Sequence, residues 1–264
     1  MLGRWLAIGV LGFTVGAATI LLVDSGGDAD RVVTAPAAAS TPDPSTASDG
    51  ASVVGEHNHI VKGVKANDIE AELQPDTPLD RATRVELAVQ LAAAREVAMR
   101  YPTVADATAA GFFLAGGFAP GSGAHYVSIS GISGAGTIDV TRVNSYIYEG
   151  TSPDSRIVGL MYYSNSKAAG FAGPNDHWHR HSNVCLNWNG PNGLEVPFPA
   201  DADVTAKECR SAGGTLMPIT GYMVHAWIVP GWESPQGVFS HENPNLRCAD
   251  GTFDTDKAGF CQGT

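Results

Sequence analysis

From Gly111 onward the sequence shows no periodicity of about 3.6 residues. Short stretches rich in Val, Ile, Tyr, Thr and Trp alternate instead with clusters of Gly, Pro, Asn and Asp. Such punctuation leaves room only for short strands joined by turns. The predicted strands are His125–Ser130, Asn144–Tyr148, Arg156–Ser164, His177–Val184 and Tyr222–Val229. Sequential strands with turn-length connections pair antiparallel, so the expected fold is mainly β, an antiparallel barrel or sandwich.

Helical signals precede this region. Thr77-Pro78-Leu79-Asp80 offers a cap residue, a proline at the first helical position and an acid in the first turn. The helix is expected to run to Arg100, with Leu87, Leu91, Ala94 and Ala98 along one face, and to stop at Tyr101-Pro102. Thr103 and Asp106 cap a second short helix that Gly111 closes. The reading is a single domain over 56–264, with a helical hairpin at 77–111 laid against one end of a β-rich part at 112–264.

The first residues bear on compartment. Between Arg4 and Asp24 the run from Trp5 to Val23 carries no charge, and its length suffices for a helix across a bilayer. The small-x-small site of a cleaved leader is not evident. A transmembrane signal anchor at 1–23 is favoured over a signal peptide, and the basic residue before the run places the remainder outside. Residues 24–55 are rich in Ala, Ser, Thr, Pro, Asp and Gly and hold no aromatic residue. They cannot bury enough apolar area to offset the entropy of ordering, and read as a disordered tether.

Cysteine usage agrees with export. The four cysteines, Cys185, Cys209, Cys248 and Cys261, all follow the apolar run and read as two disulfides. Three pairings are open; proximity along the chain favours Cys185–Cys209 and Cys248–Cys261. A zinc site would want a closer C-x-x-C spacing, which is missing. The formal charge of −11 argues against a nucleic-acid partner, which needs a basic face. Membrane contact is expected through the N-terminal helix only, and the localisation is a cell membrane with an extracytoplasmic domain, or secretion.

Histidine placement carries most of the chemistry. Of eight histidines, six fall in the β-rich region: His125, His177, His179, His181, His225 and His241. In Asn175-Asp176-His177-Trp178-His179-Arg180-His181 they alternate, so on a strand all three would share one face. An H-x-H pair there sets its Cα atoms about 7 Å apart, close enough for two imidazoles to converge on one ion. His177, His179 and His225 are the expected ligands, with His125 and Glu149 next; His181 reads as a bystander. Imidazole with carboxylate suits Zn, Cu, Fe or Mn without choosing among these divalent transition metals. His57 and His59 in EHNH read as surface or satisfied core residues, outside any HNH-nuclease context.

The segment from Gly231 to Asn245 packs two acids, a histidine and two aromatics among turn-formers, a composition common at the mouths of sites on β scaffolds. Glu233, His241 or Glu242 could act as general acid or base beside a metal-activated water, with Glu233 and His241 preferred. The alternative is that Trp232 and Phe239 simply close the end of the fold. GSGAHY and GISGAG open no helix after a strand, so phosphate binding is weakly signalled. No G-x-S-x-G elbow is present.

The series RYPTVADATAAG, GSGAHY, YIYEG, RIVGLMYY, GFAGPNDHWHRH and MVHAWIVPGWESPQGVFSHENP resembles a group of exported actinobacterial proteins, over roughly residues 80 to 247. The resemblance implies export and brings no activity with it. The pattern is also loosely similar to the cupin superfamily, in which an H-x-H pair, a glutamate and a later histidine hold a metal inside a β-barrel. His177 and His179 would match the pair, and Pro235-Gln236-Gly237 followed by His241 and Asn245 is close to the second cupin motif. The chain departs from it twice. No glutamate follows the pair at the expected spacing, and the gap from Gly237 to His241 is one residue longer.

The functional expectation is an extracytoplasmic metal-binding protein with a His-rich mononuclear site, itself a metal-dependent hydrolase or oxygenase. One alternative is a non-catalytic surface protein that scavenges metal. Another is a glycan binder for cell-wall ligands, using Trp178, Trp188, Trp227 and Trp232 as a platform.

Overall fold

A computed structural model describes residues 76–129, 138–166, 170–200, 202, 204–253 and 259–261, all within the unit Val53–Thr264. The expected anchor at 1–23, the tether at 24–55, and His57 and His59 lie outside the described residues. Among the described residues no helix is long and apolar enough to cross a membrane.

Helix α1 (Arg81–Ala98) starts where Asp80, not Thr77, supplies the cap. The Asp80 carboxylate accepts from the Thr83 amide at 3.0 Å and the Thr83 hydroxyl at 2.7 Å. These bonds hold its carboxyl below the usual aspartate range. Thr77 is engaged elsewhere, donating its amide to the Asn175 side chain at 2.9 Å. The inward face of α1 buries Ala94, Val97 and Ala98, with Leu87 and Leu91 half-buried against the same core. Helix α2 (Val104–Ala109) opens on a reciprocal capping box between Thr103 and Asp106.

Five strands form an antiparallel sheet in the order β1-β2-β3-β4-β7: β1 (Phe113–Ala119), β2 (Gly123–Val127), β3 (Ser145–Tyr148), β4 (Ile157–Ser164) and β7 (Tyr222–Ala226). A second, two-stranded sheet pairs β5 (Ser182–Leu186) with β6 (Thr215–Ile219). The fold is therefore mainly antiparallel β, and no closed barrel forms among the described residues.

Strand β1 escapes a propensity reading because FLAGGFA carries two central glycines. Their use is steric. A Cβ at Gly116 would stand 2.6 Å from the Phe260 ring, and one at Gly117 2.5 Å from it. The disulfide Cys248–Cys261 fastens this C-terminal segment, and the Cys261 amide donates to the Phe118 carbonyl at 2.8 Å. The other disulfide, Cys185–Cys209, ties β5 to helix α3 (Ala206–Ser211). Strand β6 tolerates Pro218 because β6 is an edge strand. Opposite it Asn183 turns to a φ of 56°, which interrupts the ladder where proline has no N–H to offer.

Facing residues of paired strands share a side of the sheet, and neighbours along a strand alternate. One side thus carries Tyr126, Tyr146, Tyr148, Leu160, Tyr162, Val224 and Ala226, which join α1 and α2 in a single apolar core. The other side carries His125, Ile147, Gly159, Met161, Met223 and His225.

Candidate metal centre

The second face of the sheet gathers five histidines. His125 on β2 and His225 on β7 stand three strands apart, yet their Nε2 atoms are 3.4 Å apart. Strands spaced about 4.8 Å apart would not allow this on a flat sheet, where Ile147 would also block the gap. The sheet curls toward this face. Gly159 leaves space there: a Cβ on it would lie 2.7 Å from the ring of Trp227, which packs beside His225 with centroids 5.3 Å apart.

The stretch 177–181 brings two more imidazoles without forming a regular strand. His179 and Met223 exchange both backbone hydrogen bonds, each 2.9 Å, as an isolated antiparallel bridge. Facing Met223, His179 lies on the same side as His225, with ring centroids 5.1 Å apart. Two residues on, His181 is fixed by its backbone. Its amide donates to the Thr220 hydroxyl at 3.0 Å and its carbonyl accepts the Thr220 amide at 2.9 Å.

His241 comes from the loop after β7, where three successive carbonyls are held. The Trp227 indole donates to Ser240 at 2.7 Å, the His225 ring to His241 at 2.5 Å, and the Ser240 hydroxyl to Glu242 at 2.7 Å. The Asn243 amide and the Leu246 carbonyl also bond Gly121 in the turn between β1 and β2. A loop pinned at this density delivers its imidazole to one place. The His241 ring lies 4.4 Å from that of His179 and 5.2 Å from that of His181, centroid to centroid.

Together His179, His181 and His241 offer ligand nitrogens that all lie within 4.8 Å of one another. His179 and His181 are 0% and 6% exposed, while His241 is half-buried, so the set is shielded on two sides and reachable on the third. Metal–imidazole bonds of about 2.0–2.1 Å in a tetrahedron separate ligand nitrogens by about 3.3 Å. Side-chain adjustments of an ångström or so would close the triad on an ion. The donor set is imidazole, which fits Zn, Cu, Fe and Ni better than Mn, Mg or Ca.

His225 adds an electrostatic constraint. Burial, reinforced by neighbouring His125 and His241, pushes its basicity well below the ordinary histidine range. The neutral ring donates through Nδ1, since the His241 carbonyl can only accept, and Nε2 keeps its lone pair. The cluster therefore presents lone pairs rather than positive charge at this position.

Other residues named from sequence stand elsewhere. His177 turns away from the triad and bonds Asp76 at 2.7 Å. The H-x-H pair on the site is His179 and His181 instead, because the strand geometry that would align all three begins only at Ser182. Glu149 accepts from the Arg156 amide at 3.2 Å in the β3–β4 turn. Glu233 is exposed, accepting from the Gly231 amide at 2.8 Å. Both carboxylates serve turns. Of the four tryptophans named for a sugar platform, Trp178 and Trp227 are 4% and 0% exposed, and side chains so deeply buried cannot contribute to one.

The sequence reading sets His181 aside and gives His241 a proton-carrying part; the structure gathers both rings with His179. The H-x-H pair that the structure brings beside His241 is the second of the two in the H-x-H-x-H run. Compared with protein-family profiles, curated proteins and solved structures, the chain matches none.

Proposed function

We propose that this chain is an extracytoplasmic metal-binding protein whose centre is the trihistidine set His179, His181 and His241. The observation that carries the reading is the convergence of three imidazole nitrogens within 4.8 Å at the end of the curled sheet. Its H-x-H pair with a later histidine is of the kind that the cupin resemblance implies, moved two residues along the chain. Two disulfides, Cys185–Cys209 and Cys248–Cys261, support an oxidising compartment, and the apolar run 5–23 would anchor the chain there.

Three protein ligands leave a coordination position open, as catalytic rather than structural zinc sites do. A divalent ion there would act as a Lewis acid toward whatever occupies that position, the chemistry a hydrolase needs; an oxygenase would need a redox-active ion such as Fe or Cu in the same place. The chain's own part is to hold the imidazoles, exclude water on the buried side through Trp227 and Ile147, and keep His225 neutral. A scavenging protein would instead complete the sphere with a fourth side chain.

The test is metal content by mass spectrometry on full-length protein exported to an oxidising compartment, purified without a histidine tag. Near-stoichiometric Zn or Cu, absent from His179→Ala and His241→Ala variants that still fold, is the expected result. Azide binding to the Co(II)- or Cu(II)-substituted protein would reveal the open position. A metal-free protein after soaking in Zn, Cu, Fe and Mn would overturn the reading.

A further inference from the structure

We propose that His125 and His225 hold a second metal ion beside the trihistidine centre, so that this face of the sheet is a two-metal site. The inference rests on the trihistidine reading and extends it.

The two Nε2 atoms are 3.4 Å apart. That is long for a hydrogen bond to a ring nitrogen, but matches the separation of about 3.3 Å between two imidazole nitrogens on one tetrahedral ion. The direction is also set. His225 Nδ1 is committed to the His241 carbonyl at 2.5 Å, so its Nε2 is the free-electron side of the ring and faces His125. Bonding of the far ring nitrogen to a carbonyl is the usual way a ligand histidine is oriented and made more basic.

The pair is prebuilt by the backbone. Register places His125 opposite Ile147 and His225 opposite Met161 on one face of the sheet. The triad, whose nitrogens form their own set, is immediately adjacent: the His225 ring stacks at 6.0 Å on that of His241 and stands 5.1 Å from that of His179. His125 is half-buried, which leaves water or a substrate oxygen room to complete the second sphere. Repulsion between two dications in one cavity makes the pair fill after the triad, and more weakly.

The experiment is Zn(II) titration of the full-length chain followed by calorimetry and total-metal analysis, on wild type and His125→Gln. Two equivalents in wild type, the weaker one lost in His125→Gln and the tighter one unchanged, is the expected result. One equivalent in wild type, or two that survive His125→Gln, overturns the second site and leaves the trihistidine centre standing. No bound zinc overturns both. A measurement free of substitutions uses Cu(II) at two equivalents. Two ions a few ångströms apart give a dipolar-broadened paramagnetic resonance spectrum, whereas the sharp spectrum of isolated Cu(II) overturns the pair.

Discussion

The ring of His225 donates through Nδ1 to the backbone carbonyl of His241 at 2.5 Å, joining the end strand of the sheet to the loop that carries the third imidazole of the cluster. One bond thereby sets the tautomer of His225 and the position of His241. Replacing His225 by Ala would leave a cavity and remove this hydrogen bond, costing about 2–4 kcal/mol of stability. Affinity at the triad would fall about 10–100-fold through loss of orientation. Denaturant unfolding and metal titration on the same variant measure the two effects separately.

The three alternating histidines make a sharper test. His177→Ala should retain full metal content, because that ring is engaged with Asp76. His179→Ala and His181→Ala should each lose it. Total-metal analysis of the three variants side by side decides the point, and equal loss from all three would show that His177 joins the site.

Acid should destabilise the apo protein through His225. Its basicity in the folded state lies well below 6.5, and burial is the main cause. Above about pH 6.5 the ring is neutral in both folded and unfolded chains and adds no pH dependence. Below that value the unfolded chain takes up a proton that the folded one refuses, so stability falls as pH drops toward the folded value. Melting temperatures from pH 8 to 5 should show this decline, and a His225→Asn variant should flatten it.

Gly159 is predicted to be irreplaceable by even one methyl group. A Cβ there meets the Trp227 ring at 2.7 Å and the Ala226 carbonyl at 3.2 Å. Gly159→Ala should cost about 1–3 kcal/mol by overpacking. Because Trp227 also bonds the Ser240 carbonyl, the variant should weaken metal binding as well. Tryptophan fluorescence and metal titration would detect the shift.

Opening the Cys185–Cys209 bridge should release α3 from β5. A bridge over 24 residues contributes about 3 kcal/mol in the chain-entropy account. The double variant Cys185→Ala/Cys209→Ala should lose that much in chemical denaturation, with metal affinity reduced less because His181 is held independently by Thr220.

The sequence by itself determined the β character after Gly111, the capping of α2 at Thr103, and the concentration of chemistry in the histidines, since turn residues, caps and composition act locally. It also determined that His179, His125, His225 and His241 belong to the β-rich region. It misplaced the start of α1, because Asp80 and Thr77 are both competent caps and only the Asn175 side chain, 98 residues away, decides between them. It missed β1, whose glycines make sense only against Phe260 and the Val196 carbonyl, both distant in sequence. Tertiary structure alone decided which histidines meet. Strand alternation put His177, His179 and His181 on one face, but the chain follows strand geometry only from Ser182, and the backbone bridge from His179 to Met223 sets the register instead. His241 could not be assigned from its loop, because its position depends on hydrogen bonds from Trp227 and His225, whose place on the curled sheet comes from long-range pairing.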